Sequence, residues 1–229
     1  MNQFMIRASR KEMSFGWRYL AFQTVFLGQF LGLAVRLLSL PWGNAEINLV
    51  YFCLNFAVTL ICFRRFLWES VRICRSRMLR ILAIAAVGLV AYFVLTAFVS
   101  SFIITVEPGF SNVNDQNISA ISQKYYIPTA VCSIFLVPIA EELLHRGAVF
   151  GSLYARSRLA AYLVSIVLFA LVHISIYIGY FEPKLLLLCF LQYVPAGICL
   201  AASYELSGSI VTSILIHSAV NAIGMLAMR

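Results

Sequence analysis

Seven apolar stretches set the main constraint on how this chain folds. Each is about as long as the roughly 20 residues that a bilayer-spanning helix requires. Charged residues make up only 11% of the 229-residue chain, whereas they make up about a quarter of a typical soluble domain. We therefore predict an all-α, polytopic bundle of about seven transmembrane helices, forming a single integral-membrane domain over residues 1–229. The predicted spans are 19–40, 47–67, 80–104, 125–145, 159–180, 184–203 and 208–228.

The basic residues are concentrated in alternate connections between these spans. The N-terminus, the segment 64–80 and the segment 146–158 are rich in Arg, whereas the other connections hold few basic residues. The positive-inside rule then places the N-terminus in the cytoplasm and, after seven crossings, the C-terminus outside. Clustered arginines beside anionic lipid headgroups account for the formal net charge of +8. We expect the lipid bilayer to be a partner and expect no nucleic acid.

One sizeable polar stretch, residues 105–124, separates the third and fourth spans. It contains the turn-forming pair Pro108-Gly109 together with several Asn and Ser residues. Such composition predicts an exposed loop.

Three polar clusters lie within the apolar stretches of the second half of the chain. They are Glu141-Glu142-x-x-x-Arg146, Phe169-x-x-x-His173 and His217-x-x-x-Asn221. Ionisable groups at membrane depth cost several kcal/mol unless they are paired or face a hydrated cavity. These clusters are therefore the candidate functional site.

The spacing within the clusters predicts which side chains share a helix face. Residues four apart are neighbours on a helix, so Glu142 is expected beside Arg146. One carboxylate is then neutralised by arginine, while that of Glu141 is free to take a proton. Each cluster also has a purely structural interpretation: an ion pair at a helix end, a packed histidine, or a hydrogen bond between helices.

At 1.5 Å of rise per residue, Glu141, His173, His217 and Asn221 lie at overlapping depths in the membrane. Together they would line a hydrated cavity suited to hydrolysis, with a carboxylate as general base, imidazoles to orient groups and an amide to hold an oxyanion. Glu141, His173 and His217 are also a valid ligand set for a catalytic zinc ion. These residues alone leave both mechanisms open.

The ordered trio EExxxR, FxxxH and HxxxN resembles the CAAX protease and bacteriocin-processing family, also called the Abi or type II CAAX prenyl endopeptidase family. The resemblance extends over about residues 130–229 and includes the flanking sequence FLVPIAEELLHRGAVFGSL. Residues 1–125 show no comparable match. We therefore predict that 126–229 form the catalytic helical core and that 1–125 supply further helices.

The resemblance implies an intramembrane endopeptidase that is either zinc- or glutamate-dependent and cuts near the cytoplasmic side. Its substrate would be a membrane-associated peptide or protein, prenylated in some relatives. By analogy, Glu141 activates water with help from His173, while His217 and Asn221 stabilise the oxyanion. Supporting roles fall to Glu142, Arg146 and Phe169. The compact chain favours the plasma membrane of a prokaryote.

Two other functions are compatible with the same residues. A non-catalytic immunity or scaffolding protein with this fold would bind a peptide and would not need Glu141. A small proton-coupled transporter would use intramembrane Glu and His as a relay. Such transporters often carry broken helices in symmetric halves of the chain, and the sequence shows no such symmetry.

Overall fold

The computed structural model describes residues 5–229 and confirms the predicted all-α bundle. The chain is 87% helical, and the described residues form no strand. Seven helices are long and apolar enough to cross a membrane, as predicted. They are α1 (Arg10–Leu37), α2 (Asn44–Cys62), α3 (Arg64–Val106), α4 (Val113–Tyr154), α5 (Arg158–Tyr177), α6 (Pro183–Ser207) and α7 (Ile210–Ala227).

The basic segment 64–80 is helical, contrary to the expected connecting loop. Helix α3 begins at Arg64 and continues through this segment with a kink at Arg77, whose φ and ψ are −128° and 19°. Arg, Leu and Met have high helix propensity, so a charged segment of this composition extends the membrane helix into the surrounding water. The arginines of this segment therefore did not mark where α3 begins.

The polar stretch 105–124 is also mostly helical, so its prediction as an exposed loop was wrong beyond the first few residues. Helix α4 begins at Val113, where the side chain of Asn112 caps the helix by accepting hydrogen bonds from the backbone N–H groups of Asn114 and Asp115 at 2.9 and 3.4 Å. An Asn cap satisfies N–H groups that the first helical turn leaves without partners. At its other end, α4 passes the predicted limit near residue 145 and ends at Tyr154.

Contacts between distant segments bring the basic parts of the chain to one end of the bundle. The N–H of Ile6 donates to the carbonyl of Gly208 at 3.0 Å, and the guanidinium of Arg80 donates to the carbonyl of Leu206 at 2.6 Å. Arg158 is paired with Glu205. The N-terminal segment, the start of α3 and the start of α5 therefore all meet at the turn between α6 and α7. We call this the basic end.

The opposite end gathers the remaining connections. Lys124 pairs with Glu46 at 2.5 Å, and Lys184 pairs with Glu107 at 2.7 Å. These bonds join the start of α2 to α4, and the start of α6 to the connection between α3 and α4. Both lysines are thus neutralised by carboxylates that lie at the same end of the bundle.

A buried apolar core lies where α1 packs against the C-terminal part of α4. Leu143, Ala148 and Phe150 are fully buried there. Gly16 of α1 allows the close approach, because a Cβ atom at that position would lie 2.3 Å from the Cβ of Ala148 and 2.8 Å from the ring of Phe63. This packing fixes the helix that carries both glutamates of the first motif.

Replacing Gly16 with Ala is expected to destabilise the protein even though Ala is the better helix former. Overpacking of a close-packed core costs about 1–3 kcal/mol, so the thermal unfolding midpoint in detergent should fall. Gly32→Ala is the matched control, because a Cβ atom there meets nothing within 4 Å. Equal midpoints for the two variants would contradict the proposed contact between α1 and α4.

Candidate active site

Glu142 lies at the centre of a buried polar network between α4 and α7. Its Oε1 accepts a hydrogen bond from Nη1 of Arg146 at 3.1 Å and another from Nδ1 of His217 at 3.1 Å. Both members of the Glu142–Arg146 pair are fully buried. Charged groups persist in such surroundings only when they are paired and hydrogen-bonded. The four-residue spacing had predicted this ion pair, and its link to His217 comes from the tertiary structure.

The guanidinium of Arg146 extends the network to two further helices. Its Nη2 donates to the backbone carbonyl of Gly197 in α6 at 3.3 Å. It also lies over the ring of Phe169 in α5, 4.7 Å from the centroid, where a cation–π interaction is favourable. A single arginine therefore holds α4, α5 and α6 in a fixed relation.

Phe169 is the aromatic centre around which the histidines are arranged. The ring is 2% exposed, and its centroid lies 5.3, 4.8 and 5.8 Å from those of His145, His173 and His217. Edge and tilted contacts at these distances suit aromatic pairs. The ring restricts the orientation of the imidazoles by packing alone.

The hydrogen bonds of two histidines define which ring nitrogen faces the cavity. Nδ1 of His173 lies 2.7 Å from the backbone carbonyl of Phe169, and Nδ1 of His217 lies against the carboxylate of Glu142. Because these oxygens only accept, we assign the hydrogen to Nδ1 in both rings. In the neutral form, each Nε2 is then an acceptor, and both are directed at Glu141.

Glu141 presents a carboxylate oxygen to both imidazoles without bonding directly to either. Its Oε2 lies 3.8 Å from Nε2 of His173 and 3.8 Å from Nε2 of His217, and this buried atom has no hydrogen-bond partner. Direct hydrogen bonds of this kind end near about 3.2 Å, whereas a gap of 3.8 Å suits groups joined through one water. Glu141 is therefore spaced from both imidazoles by the length of a water bridge.

Asn221 is anchored by a helix irregularity in α4. Its Nδ2 donates to the backbone carbonyl of Ser133 at 2.7 Å. Residues Cys132–Leu136 form a π-helical turn, in which Ser133 would bond to the N–H of residue 138. That residue is Pro138, which has no N–H, so the carbonyl is left to accept from α7.

A cavity of about 1090 Å³ contains the candidate site. This volume slightly exceeds the range of about 300–1,000 Å³ that is typical of sites for small ligands. Glu141, Phe169, His173, His217 and Asn221 all line it. The other polar lining is rich in amides and phenols and includes Gln23, Asn48, Tyr51, Asn55, Tyr92, Asn112, Asn114, Gln192 and Tyr193.

His145 does not line this cavity, although it follows Glu141 by one turn. Its Nδ1 lies 2.9 Å from the backbone carbonyl of Glu141, and its side chain is fully buried. The shared helix face thus makes His145 a support of the backbone that carries Glu141.

Sequence reasoning missed Tyr193, which stacks on His173. The two ring centroids are 4.1 Å apart and their planes differ by 24°. The hydroxyl of Tyr193 donates to Oδ1 of Asn112 at 3.4 Å, and the same asparagine donates to Gln192 at 2.7 Å. The sequence signal was the polar pair Gln192-Tyr193 inside an apolar helix, but its partners lie some 80 residues away.

The zinc ligand set predicted from the sequence stays a prediction. The imidazoles of His173 and His217 are oriented as metal ligands usually are, with Nδ1 bonded to a carbonyl or a carboxylate. However, within residues 5–229 no three His, Cys, Asp or Glu side chains are grouped closely enough to hold a metal ion.

Comparison with known proteins finds a match over the part of the chain that contains the three motifs. Residues 123–223 match the model of the family described as type II CAAX prenyl endopeptidase Rce1-like. The UPF0177 protein YxdF of Lactococcus lactis subsp. lactis (strain IL1403) is 32% identical over 134 residues, which are 58% of this chain and 64% of that protein. The chain thus matches somewhat less than two thirds of this relative. No solved structure matches.

Breaking the central ion pair is expected to destabilise the protein strongly. Arg146→Met leaves the buried carboxylate of Glu142 without its cation, and removing one partner of a buried pair costs about 3–5 kcal/mol. The thermal unfolding midpoint in detergent should fall accordingly, and adding Glu142→Gln should restore part of the loss.

The control for this prediction is Lys184→Met, which breaks an ion pair of similar length whose side chains are 60% and 42% exposed. Exposed pairs contribute about 0–1 kcal/mol. Equal losses in Arg146→Met and Lys184→Met would show that the buried network does not hold the bundle together.

Proposed function

We propose that this chain, whose residues 123–223 match the model of the family described as type II CAAX prenyl endopeptidase Rce1-like, hydrolyses a peptide bond within the membrane. The observation that carries the proposal is the carboxylate of Glu141. It faces a large cavity, lacks a direct partner at Oε2, and lies 3.8 Å from two imidazole Nε2 atoms.

Glu141 is the proposed general base. A water between its Oε2 and Nε2 of His173 would donate one hydrogen to each, so that its lone pair is free to attack a peptide carbonyl. His173 is held for this task by the carbonyl of Phe169 on Nδ1 and by the ring of Tyr193 on its face. General-base catalysis of this kind contributes typically about 10²–10⁴ in rate.

His217 and Asn221 are the proposed donors to the tetrahedral oxyanion. His217 donates through Nε2 only when that atom carries a hydrogen, which makes the ring an imidazolium with Nδ1 on Glu142. Asn221 has two hydrogens on Nδ2, one of which is used by Ser133, so the second is available. Preorganised donors of this kind are worth several kcal/mol in the transition state.

Glu141 takes up one proton during the reaction and later returns it. Water gives its hydroxyl to the carbonyl carbon and one proton to the glutamate. The C–N bond of the tetrahedral intermediate then breaks as Glu141 returns the proton to the leaving nitrogen. The products are a carboxylic acid and an amine, which become a carboxylate and an ammonium group when the acid passes its proton to the amine. The base is regenerated without any co-reactant.

Zinc held by Glu141, His173 and His217 would instead act as a Lewis acid that lowers the pKa of bound water. We propose the route through side chains and water because Oε2 of Glu141 lies 3.8 Å from Nε2 of His173 and of His217, a gap that one water spans. Cleavage that persists after incubation with a chelator and dialysis would support the route without metal.

The protein is a multi-pass membrane protein, and we place it in the plasma membrane of a prokaryote. Support comes from the seven apolar helices and from the similarity to a lactococcal protein. The substrate is proposed to be a membrane-associated peptide or protein, because the cavity is enclosed by membrane-spanning helices.

Glu141→Gln is expected to lower cleavage by at least about 100-fold, because the amide keeps the shape of the side chain but takes no proton. The assay uses detergent-purified protein and a library of fluorogenic membrane-anchored peptides, prenylated and unprenylated. The matched control is Glu182→Gln, an exposed position outside the cavity.

Both variants should keep the thermal midpoint of the wild type. Equal cleavage by Glu141→Gln and the wild type would remove Glu141 as the base. Peptide binding by the wild type without cleavage of any library member would favour a non-catalytic immunity or scaffolding protein of the same fold.

A further inference from the structure

A second polar cluster lies on the wall of the cavity that α1 and α2 form. The hydroxyl of Tyr19 donates to Oδ1 of Asn55 at 2.8 Å, and the hydroxyl of Tyr51 donates to Oε1 of Gln23 at 2.7 Å. Gln23, Tyr51 and Asn55 all line the cavity. The two bonds join the helices and fix the direction of both side-chain amides. We call Gln23 and Asn55 the amide pair.

The nitrogen atoms of the amide pair carry hydrogens that the protein leaves unused. Among residues 5–229, none accepts a hydrogen bond from Nε2 of Gln23. Nδ2 of Asn55 comes near the hydroxyl of Tyr51, which occupies one of its two hydrogens at most. Both nitrogens remain accessible from the cavity, although the two residues are only 5% and 7% exposed. Each therefore presents a fixed, uncharged donor to whatever the cavity holds.

Helix packing by itself explains only half of this arrangement. The bonds between α1 and α2 use the oxygens of the two amides, and bonds of this kind stabilise membrane bundles by about 1 kcal/mol or less. They give no reason for the nitrogens to face the cavity. A buried donor without a partner costs about 1–3 kcal/mol, so an acceptor inside the cavity is expected.

The amide pair lies next to the segments that carry the proposed base. Helix α2 packs against Val137–Glu142, and the first half of α1 packs against Leu143–Phe150. The carboxylate of Glu141 lines the same cavity. An acceptor bound to the amide pair would therefore belong to a group that lies beside Glu141.

The spacing of the amide pair matches that of a peptide in extended conformation. Tyr19 and Gln23 are four residues apart in α1, and Tyr51 and Asn55 are four residues apart in α2, so the two bonds are about 6 Å apart along the helices. An extended chain rises about 3.3 Å per residue, and the carbonyls of alternate residues point to the same edge, about 6.6 Å apart. Two such carbonyls can accept from the amide pair at once.

We propose that Gln23 and Asn55 form a substrate subsite that binds two alternate backbone carbonyls of an extended peptide, beside the bond to be cleaved. This inference rests on the proposed peptidase function and deepens it by naming residues that position the substrate. The subsite recognises the backbone, so it tolerates different side chains. Both residues lie outside residues 123–223, which match the family model.

The subsite is tested first by peptide binding in the Glu141→Gln background, where the probe is not consumed. The probes are fluorescent membrane-anchored peptides in detergent, followed by anisotropy. Gln23→Met and Asn55→Leu should each raise the Kd by about 2–10-fold, the effect of one lost hydrogen bond. The matched control is Asn48→Leu, which should leave the Kd unchanged. Asn48 lines the same cavity, but its Nδ2 donates to the carbonyl of Asn44 at 2.8 Å.

The register is tested with peptides that carry a single thioamide at successive positions, because sulfur is a weaker acceptor than oxygen. Two positions that are two residues apart should lose affinity for Glu141→Gln. That loss should disappear when Gln23→Met and Asn55→Leu are added. Equal losses with and without the amide pair, or sensitive positions that are adjacent, would overturn the proposal.

Kinetics separate a role in binding from a role in folding. With Glu141 intact, Gln23→Met and Asn55→Leu should raise the KM for a cleaved peptide several-fold. A role in folding alone would lower the thermal midpoint and the fraction of active protein, and so reduce kcat at an unchanged KM. That result would contradict the subsite.

Phospholipids also carry carbonyl acceptors, in their ester groups, and are the competing source of this chemistry. Added phospholipid should not displace the peptide from Glu141→Gln. Displacement that is lost in the variant without the amide pair would assign the two donors to lipid and overturn the proposal.

The outcomes for the subsite and for the proposed function are distinct. Glu141-dependent cleavage with a KM that does not depend on the amide pair would overturn the subsite and leave the peptidase intact. Binding that depends on the amide pair, without cleavage of any peptide by the wild type, would keep the subsite and favour a non-catalytic binding protein. If no peptide binds, the subsite fails, and the cleavage assay alone decides the function.

Discussion

The buried carboxylate of Glu142 is the constraint on which the rest of this structure depends. An unpaired charge inside an apolar bundle is far more costly than any single packing contact, so the helices must assemble where its partners can reach it. Arg146 and His217 both bond to one of its oxygens. Through Arg146 the network reaches the Gly197 carbonyl and the Phe169 ring, and four helices are thereby brought into one arrangement.

That arrangement gives two adjacent glutamates opposite roles. Glu142 has a structural role, since its charge is balanced and one of its oxygens accepts hydrogen bonds from two side chains. Glu141, the preceding residue, points to a different side of the helix and keeps an oxygen without a partner. Two carboxylates with separate environments are a common way to obtain both a fixed charge and a reactive base. The aromatic ring of Phe169 completes the division by orienting the histidines that face Glu141.

The distribution of charge over the whole bundle distinguishes its two ends. Basic segments that are far apart in the chain meet around the turn between α6 and α7, and the cations that pair at the other end are neutralised locally. The candidate site lies between these two ends.

The sequence by itself determined the class of fold, the number of membrane helices and the Glu142–Arg146 pair, because hydropathy and helical spacing are local properties. It also picked out Glu141, His173, His217 and Asn221, since polar groups at membrane depth are conspicuous. It failed where local signals conflict: segment 64–80 is charged yet helical, and 105–124 is polar yet largely helical. Only the tertiary structure brought His217 to Glu142, Tyr193 to His173 and Asn221 to Ser133, because these contacts join residues that are 20 to almost 90 positions apart. The cavity that these residues line was likewise formed by helix packing, which no spacing along the chain encodes.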